Sequence, residues 1–138
     1  MERIRQKIGR INEHLALLHR IKADCTEKFA SDPIYQGALL HYLYLLADGC
    51  IVLAELVVKH KGLRAPQSYA EAFDILGENQ LLEADFAFRF AAIAGFRNFL
   101  ALDYEQVDPQ FICGQVLAGL DDVDIFLRQI GQVLDLTE

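Results

Sequence analysis

Phe86, Phe90, Ile93 and Leu100 recur at steps of four, three and seven residues, the mark of one helix face turned towards a core. The position that completes this stripe between Ile93 and Leu100 is Arg97. A guanidinium keeps its charge, so burying it demands an anionic partner, and leaving it unpaired costs several kcal/mol. Two partners satisfy that demand: an internal carboxylate such as Asp48, or an anionic ligand such as a phosphate at an edge or interface of the fold. Asn98 follows with a donor and an acceptor, and Tyr104 closes the segment with a hydroxyl.

Other chemistries find less support. His14, His19, His41 and His60 show no H-x-x-x-H or H-E-x-x-H spacing, so no metal set is expected. No Walker loop, G-x-G-x-x-G or G-x-S-x-G occurs, and no cofactor is expected. Cys25, Cys50 and Cys113 are odd in number, far apart and never in a C-x-x-C pair, which argues against a disulfide framework and for a reducing cytoplasm. The aromatic run Phe86, Phe88, Phe90, Phe96 and Phe99 has helical spacing and reads as core or dimer seam before base stacking.

The chain has 138 residues, 53% hydrophobic and 24% charged, which suits a single domain over 1–138 and excludes disorder. Its net charge of −7 excludes a protein that coats nucleic acid by charge alone. The charge is polarised: residues 1–28 carry seven of the thirteen basic groups, while residues 71–138 carry thirteen of the twenty acidic ones. The first helix can therefore touch phosphate, or simply present a solvated face. The N-terminus is too polar for a signal peptide. The apolar stretch Ile34 to Val58 is broken by Gln36, His41, Asp48 and Glu55, so a buried helix rather than a membrane span is expected.

These elements must position the candidate groups. Ile4, Ile8, Ile11, Leu15, Leu18, Cys25 and Phe29 predict one long amphipathic helix. Asp32-Pro33 is a cap followed by a proline suited to a first helical turn, opening a second helix that runs to about His60, with Gly62 at its C-terminal end. Ser68-Tyr69-Ala70-Glu71 has the form of a capping box for a short third helix. A fourth helix is expected from about Glu83 to Ala101. After Asp108-Pro109, a fifth carries Ile112, Val116, Leu120, Val123, Leu127, Ile130 and Leu134 on one stripe. The expected fold class is all-α, an up-and-down bundle of four long helices plus one short one.

The segment Arg97-Asn98-Phe99-Leu100-Ala101-Leu102-Asp103-Tyr104-Glu105 resembles the signature R-N-x-x-x-H-x-Y plus an acidic residue of the HepT-like group of HEPN proteins. Gly62-Leu63-Arg64-Ala65-Pro66-Gln67-Ser68-Tyr69-Ala70-Glu71-Ala72-Phe73 resembles the G-L-x-x-P-x-S-Y-x-E-A-F run that precedes it in that group. The resemblance covers about residues 30 to 134. It implies a HEPN-like helical homodimer, or higher even oligomer, serving as the ribonuclease toxin of a toxin–antitoxin module. The partner it implies is an MNT-type minimal nucleotidyltransferase, and the substrate is RNA, cleaved without metal. By the same resemblance, Arg97 contacts the scissile phosphate, Asn98 orients its neighbours, and Tyr104 is the tyrosine that the partner modifies with AMP.

The family's histidine falls at Leu102, which can neither take nor give a proton. General acid–base help is worth ~10²–10⁴ in rate, so cleavage is expected to be weak or absent. Asp103 is a displaced substitute base, but a one-residue step turns a helical side chain by about 100°. Three readings stay open: an impaired endoribonuclease toxin, a non-catalytic binding subunit for the nucleotidyltransferase, and a plain helical scaffold. The last is favoured only if Arg97 is paired inside its own protomer.

Overall fold

Asp32 sets the start of the longest helix: its Oδ1 accepts from the amides of Ile34 and Tyr35 at 3.0 and 3.2 Å, and Pro33 occupies the first turn, where no donor is needed. The structure, a computed structural model, describes residues 1–102 and 107–135. Along the chain it shows α1 (Glu2–Ile21), a 3₁₀ turn (Lys22–Asp24), α2 (Cys25–Lys28), α3 (Pro33–His60), α4 (Tyr69–Glu78), α5 (Ala84–Phe90) and α6 (Ile93–Leu102). A π-helical stretch (Phe111–Val116) and α7 (Leu120–Val133) complete it. No strand occurs among the described residues.

α3 is the axis of the fold. α1 packs along it, and α4 and α6 pack against it as well. By length and composition α3 would cross a bilayer, yet 56% of its most apolar stretch is buried inside the fold, as the central helix of a bundle requires. It ends where Gly62, at φ +67°, lets Leu63 N–H reach Val58 O and Gly62 N–H reach Lys59 O, closing the last turn.

The expected all-α bundle stands, but three of its helices are interrupted and built from shorter pieces. The first stops at Ile21, because Lys22, Ala23 and Asp24 offer nothing to bury, and the carbonyl of Ile21 accepts from the Tyr35 hydroxyl at 2.6 Å. The fourth is divided at Ala91-Ala92, where Ala92 and Ala94 donate to carbonyls only three residues back. That tightening hands the chain from α4, which α5 packs against, to α3, which α6 packs against. In the last, Ile112, Val116 and Leu120 repeat every four residues, wider than the 3.6 of an α-helix, and the π-helical turn supplies the wider period. Phe73, Phe86, Phe90 and Phe126 form the aromatic centre of the core, with Phe73 edge-on to Phe90 at 5.5 Å.

The cysteine expectation is overturned. Cys25 and Cys113 form a disulfide across a sequence separation of 88, with Cα atoms 5.6 Å apart, while Cys50 remains a free, buried thiol whose pKa burial pushes up. The odd count and wide spacing concealed the pair because the fold, not the local sequence, brings the two together. The bridge removes from the expected reducing compartment the support that the cysteines gave it.

Closing so long a loop constrains the unfolded chain by about 4 kcal/mol. Dithiothreitol or Cys113→Ser is therefore expected to lower the urea midpoint and melting temperature, with the reduced protein still folded through its core. Coincident melts of oxidised and reduced protein would show that the bridge adds no stability.

Candidate functional site

Three elements converge on Arg97. α3 supplies Tyr44 and Asp48, four residues apart and so on one face. α6 supplies Arg97 and Asn98. Tyr69 is the first residue of α4, and the turn before it is held on both sides. Ser68 Oγ accepts from Glu71 N–H at 3.1 Å, and Glu71 Oε1 reaches back to the amide of Gln67, one residue earlier than the expected capping box. Arg64 then straps the preceding loop to α4 through Glu71 Oε2 and Glu78, each at 3.1 Å. The Gln67 amide and the Arg64 charge hold the Glu71 carboxyl below its usual range.

Arg97 Nε donates to Asp48 Oδ1 at 3.1 Å, and Nη1 donates to Asn98 Oδ1 at 3.3 Å. The guanidinium carbon lies 5.2 Å from the ring centroids of both Tyr44 and Tyr69. The Arg97 side chain is 20% exposed and that of Asp48 36%, so the pair sits at an edge of the core rather than within it. Burial opposes the Arg97 charge, but the hydrogen bond it donates to Asp48, with Tyr44, the Asp48 charge and Tyr69, outweighs it and raises the arginine's pKa. The internal carboxylate partner expected from the sequence is thus Asp48. Nη2 makes no hydrogen bond to the described residues.

Leu102, the last residue of α6, is 85% exposed. Asp103 and Tyr104 lie outside the described residues. Asn98 is exposed. Among the described residues, no three His, Cys, Asp or Glu side chains gather as a metal set. Phe86 and Phe90 are core, as their spacing indicated, whereas Phe88 is 83% exposed.

The sequence reading missed Tyr44, Tyr69 and Glu55. The i, i+4 step from Tyr44 to Asp48 was the available signal for the first. Tyr69 stands inside the capping box, where Ser68 and Glu71 carry the motif and no spacing marks its ring. Glu55 is half-buried on α3, seven residues beyond Asp48, and no hydrogen bond from a described residue reaches it. Burial, then the Asp48 charge, raises its pKa above the ordinary 4.5. It lines a cleft of about 550 Å³ with Gln67, Ser68, Tyr69, Gly95 and Asn98.

The sequence profile described as "Ribonuclease HepT-like" matches residues 11–130. The chain belongs to the HepT-like ribonuclease family. An mRNA nuclease HepT of Shewanella oneidensis is 23% identical over 124 residues, covering 90% of this chain and 92% of that one. A tRNA nuclease HepT of Aphanizomenon flos-aquae is 28% identical over 129 residues, covering 92% and 84%. The solved structure of a tri-AMPylated Shewanella oneidensis HEPN toxin in complex with MNT antitoxin superposes with a TM-score of 0.82 at 24% identity, over 94% of this chain and 96% of that one. That likeness shows that this HepT-like chain has the HEPN fold.

Because folding raises the pKa of Glu55, the folded state holds its proton to higher pH, and stability is lost as pH climbs from the ordinary carboxylate value through the raised one. Glu55→Gln is therefore expected to be more stable than the parent at pH 7, with the difference vanishing below about pH 4. Urea titrations at the two pH values check this. A Glu55→Gln variant less stable at pH 7 would mean that the carboxylate is paired rather than penalised.

Proposed function

We propose that this HepT-like protein is the toxin component of a toxin–antitoxin system, built as a metal-independent endoribonuclease and impaired at the position of its proton-transfer group. The observation that carries the proposal is the mounting of Arg97. Asp48 and Asn98 take Nε and Nη1, and two tyrosine rings flank the guanidinium, so its orientation is fixed before any ligand arrives. In this reading Arg97 meets the scissile phosphate of RNA, Asn98 orients it, and negative charge developing on the phosphate is stabilised.

The proton side of the reaction is deficient. Leu102 stands, exposed, where the family signature has histidine, and an alkyl side chain cannot remove a proton from a ribose 2′-hydroxyl. Cleavage by this chain is then slow or absent unless Asp103 substitutes. The pairing of Arg97 within its own chain met the condition set for a plain scaffold, but membership of a ribonuclease family over residues 11–130 argues against that reading. The second reading, a non-catalytic subunit binding an MNT-type nucleotidyltransferase, is favoured by Leu102 itself.

The same proposal includes a homodimer, a cytoplasmic place of action among RNA, and AMP transfer to Tyr104 by the partner. The exposed apolar Leu102, Phe88 and Ile34 support association. The AMPylated state of the Shewanella toxin and its MNT complex support the modification and the partner. Charge added near Arg97 would occupy the place a phosphate needs.

Leu102→His is expected to raise cleavage of total RNA by ~10²-fold or more, insensitive to chelator, with Arg97→Ala removing the gain. Failure of Leu102→His to exceed the parent would leave the binding-subunit reading. Gel filtration with light scattering is expected to give a dimer mass, and a monomer at micromolar concentration would contradict it. After incubation with the partner and ATP, intact mass should rise in steps of AMP in the parent and not in Tyr104→Phe. An equal shift in Tyr104→Phe would place the modification elsewhere.

A further inference from the structure

A cleft opens beside Arg97. It is walled by Glu55 of α3, the segment around Gln67 and Tyr69 that opens α4, and Gly95 and Asn98 of α6, with a volume of about 550 Å³. Two of its residues also belong to the Arg97 cluster. Asn98 accepts from Nη1, and the Tyr69 ring lies beside the guanidinium. Glu55 stands two helical turns from Asp48, about 10 Å along α3, comparable with the distance from a phosphate to the far edge of a base. A phosphate at Arg97 would therefore have one of its neighbouring bases at the cleft.

The walls match a nucleobase in kind. Tyr69 is 39% exposed and offers an aromatic face, the usual platform for an unstacked base. Gln67 and Asn98 each carry an amide donor and acceptor. Glu55, once ionised, is an acceptor-only group with two oxygens, and no described residue donates to it. Gly95 keeps the α6 wall low, since a Cβ built there meets nothing within 4 Å.

We propose that this cleft is a nucleobase subsite selective for guanine, with Glu55 as its specificity-determining residue. The inference rests on the ribonuclease reading above. Guanine alone presents two adjacent donors, N1–H and the N2 amino group, which fill both oxygens of one carboxylate in parallel. Adenine and cytosine set an acceptor beside their amino group, and uracil flanks its single N–H with two carbonyls, so each turns lone pairs towards Glu55. The guanine O6 is left for an amide N–H of Gln67 or Asn98. A single-stranded or splayed segment of RNA is the form whose Watson–Crick edge is open to such contacts.

The test uses the full chain and fluorescein-labelled 2′-O-methyl hexanucleotides, which bind without being cleaved. Oligoadenylate is compared with the same strand carrying one guanine, and with one carrying hypoxanthine, which lacks the N2 amino group. Anisotropy at fixed salt is expected to show the guanine strand binding at least ~10-fold tighter than oligoadenylate, with the hypoxanthine strand between them. Glu55→Gln should erase the preference while keeping the weaker binding common to all strands. Gly95→Leu, which fills the cleft from open space without removing a charge, should do the same, and melting curves confirm that both variants fold. Equal binding of all three strands by the parent, or a guanine preference retained in both variants, would overturn the subsite and leave the ribonuclease reading standing. If no strand binds at all, both fail together.

Discussion

The charge of Arg97, placed where a helix face should be apolar, is the constraint around which the site is built. A guanidinium that leaves water must find an anion, and Asp48 provides it at 3.1 Å. A pair as exposed as this one contributes at most about 1 kcal/mol to stability, so its consequence is geometric rather than energetic. Asp48 fixes Nε, Tyr44 one turn earlier and Tyr69 at the mouth of α4 flank the plane, and Asn98 takes Nη1. Each neighbour is in turn held by something local: the face of α3 for Tyr44, and the Ser68, Glu71 and Arg64 network for Tyr69.

The stability that tolerates this arrangement comes from α3 and what packs on it. Leu39, Leu40, Leu43, Leu46, Cys50 and Ile51 are essentially shielded from solvent, and Gly49 lets α1 approach until a Cβ there would lie 3.1 Å from Ile11. One side of α3 thus carries the core, while another carries Tyr44, Asp48 and Glu55. Glu55 is the expensive member, since burial and the nearby Asp48 both disfavour its charge. A chain optimised for stability alone would not put a carboxylate there, whereas a chain that must accept hydrogen bonds from a ligand has a use for one.

How much of this was legible in the sequence depends on how local each cause is. The Asp32-Pro33 start, the Ser68 cap and the Gly62 stop depend on residues within a turn of one another, and all three stand in the structure. Arg97 was visible as a break in a periodic stripe, and Asp48 as a carboxylate in an apolar run. The breaks after Ile21 and at Ala91-Ala92 were not legible, because no proline or glycine marks them. They answer to packing partners, Tyr35 for the first and the change from α4 to α3 for the second. The Cys25 to Cys113 bridge and the Tyr69 contact to Arg97 join distant parts of the chain, and spacing alone contains neither.

In the proposed function Asp48 orients Arg97 for a phosphate rather than merely neutralising it, and a double-mutant cycle on RNA binding tests this. Affinity for a non-cleavable oligonucleotide is measured for the parent, Asp48→Asn, Arg97→Ala and the double variant at one ionic strength. Orientation predicts that Asp48→Asn weakens binding and that this loss disappears when Arg97 is already alanine. Tighter binding by Asp48→Asn would show that the carboxylate competes with RNA for Arg97, and an equal loss in both backgrounds would show that it acts elsewhere. Either result would contradict the account.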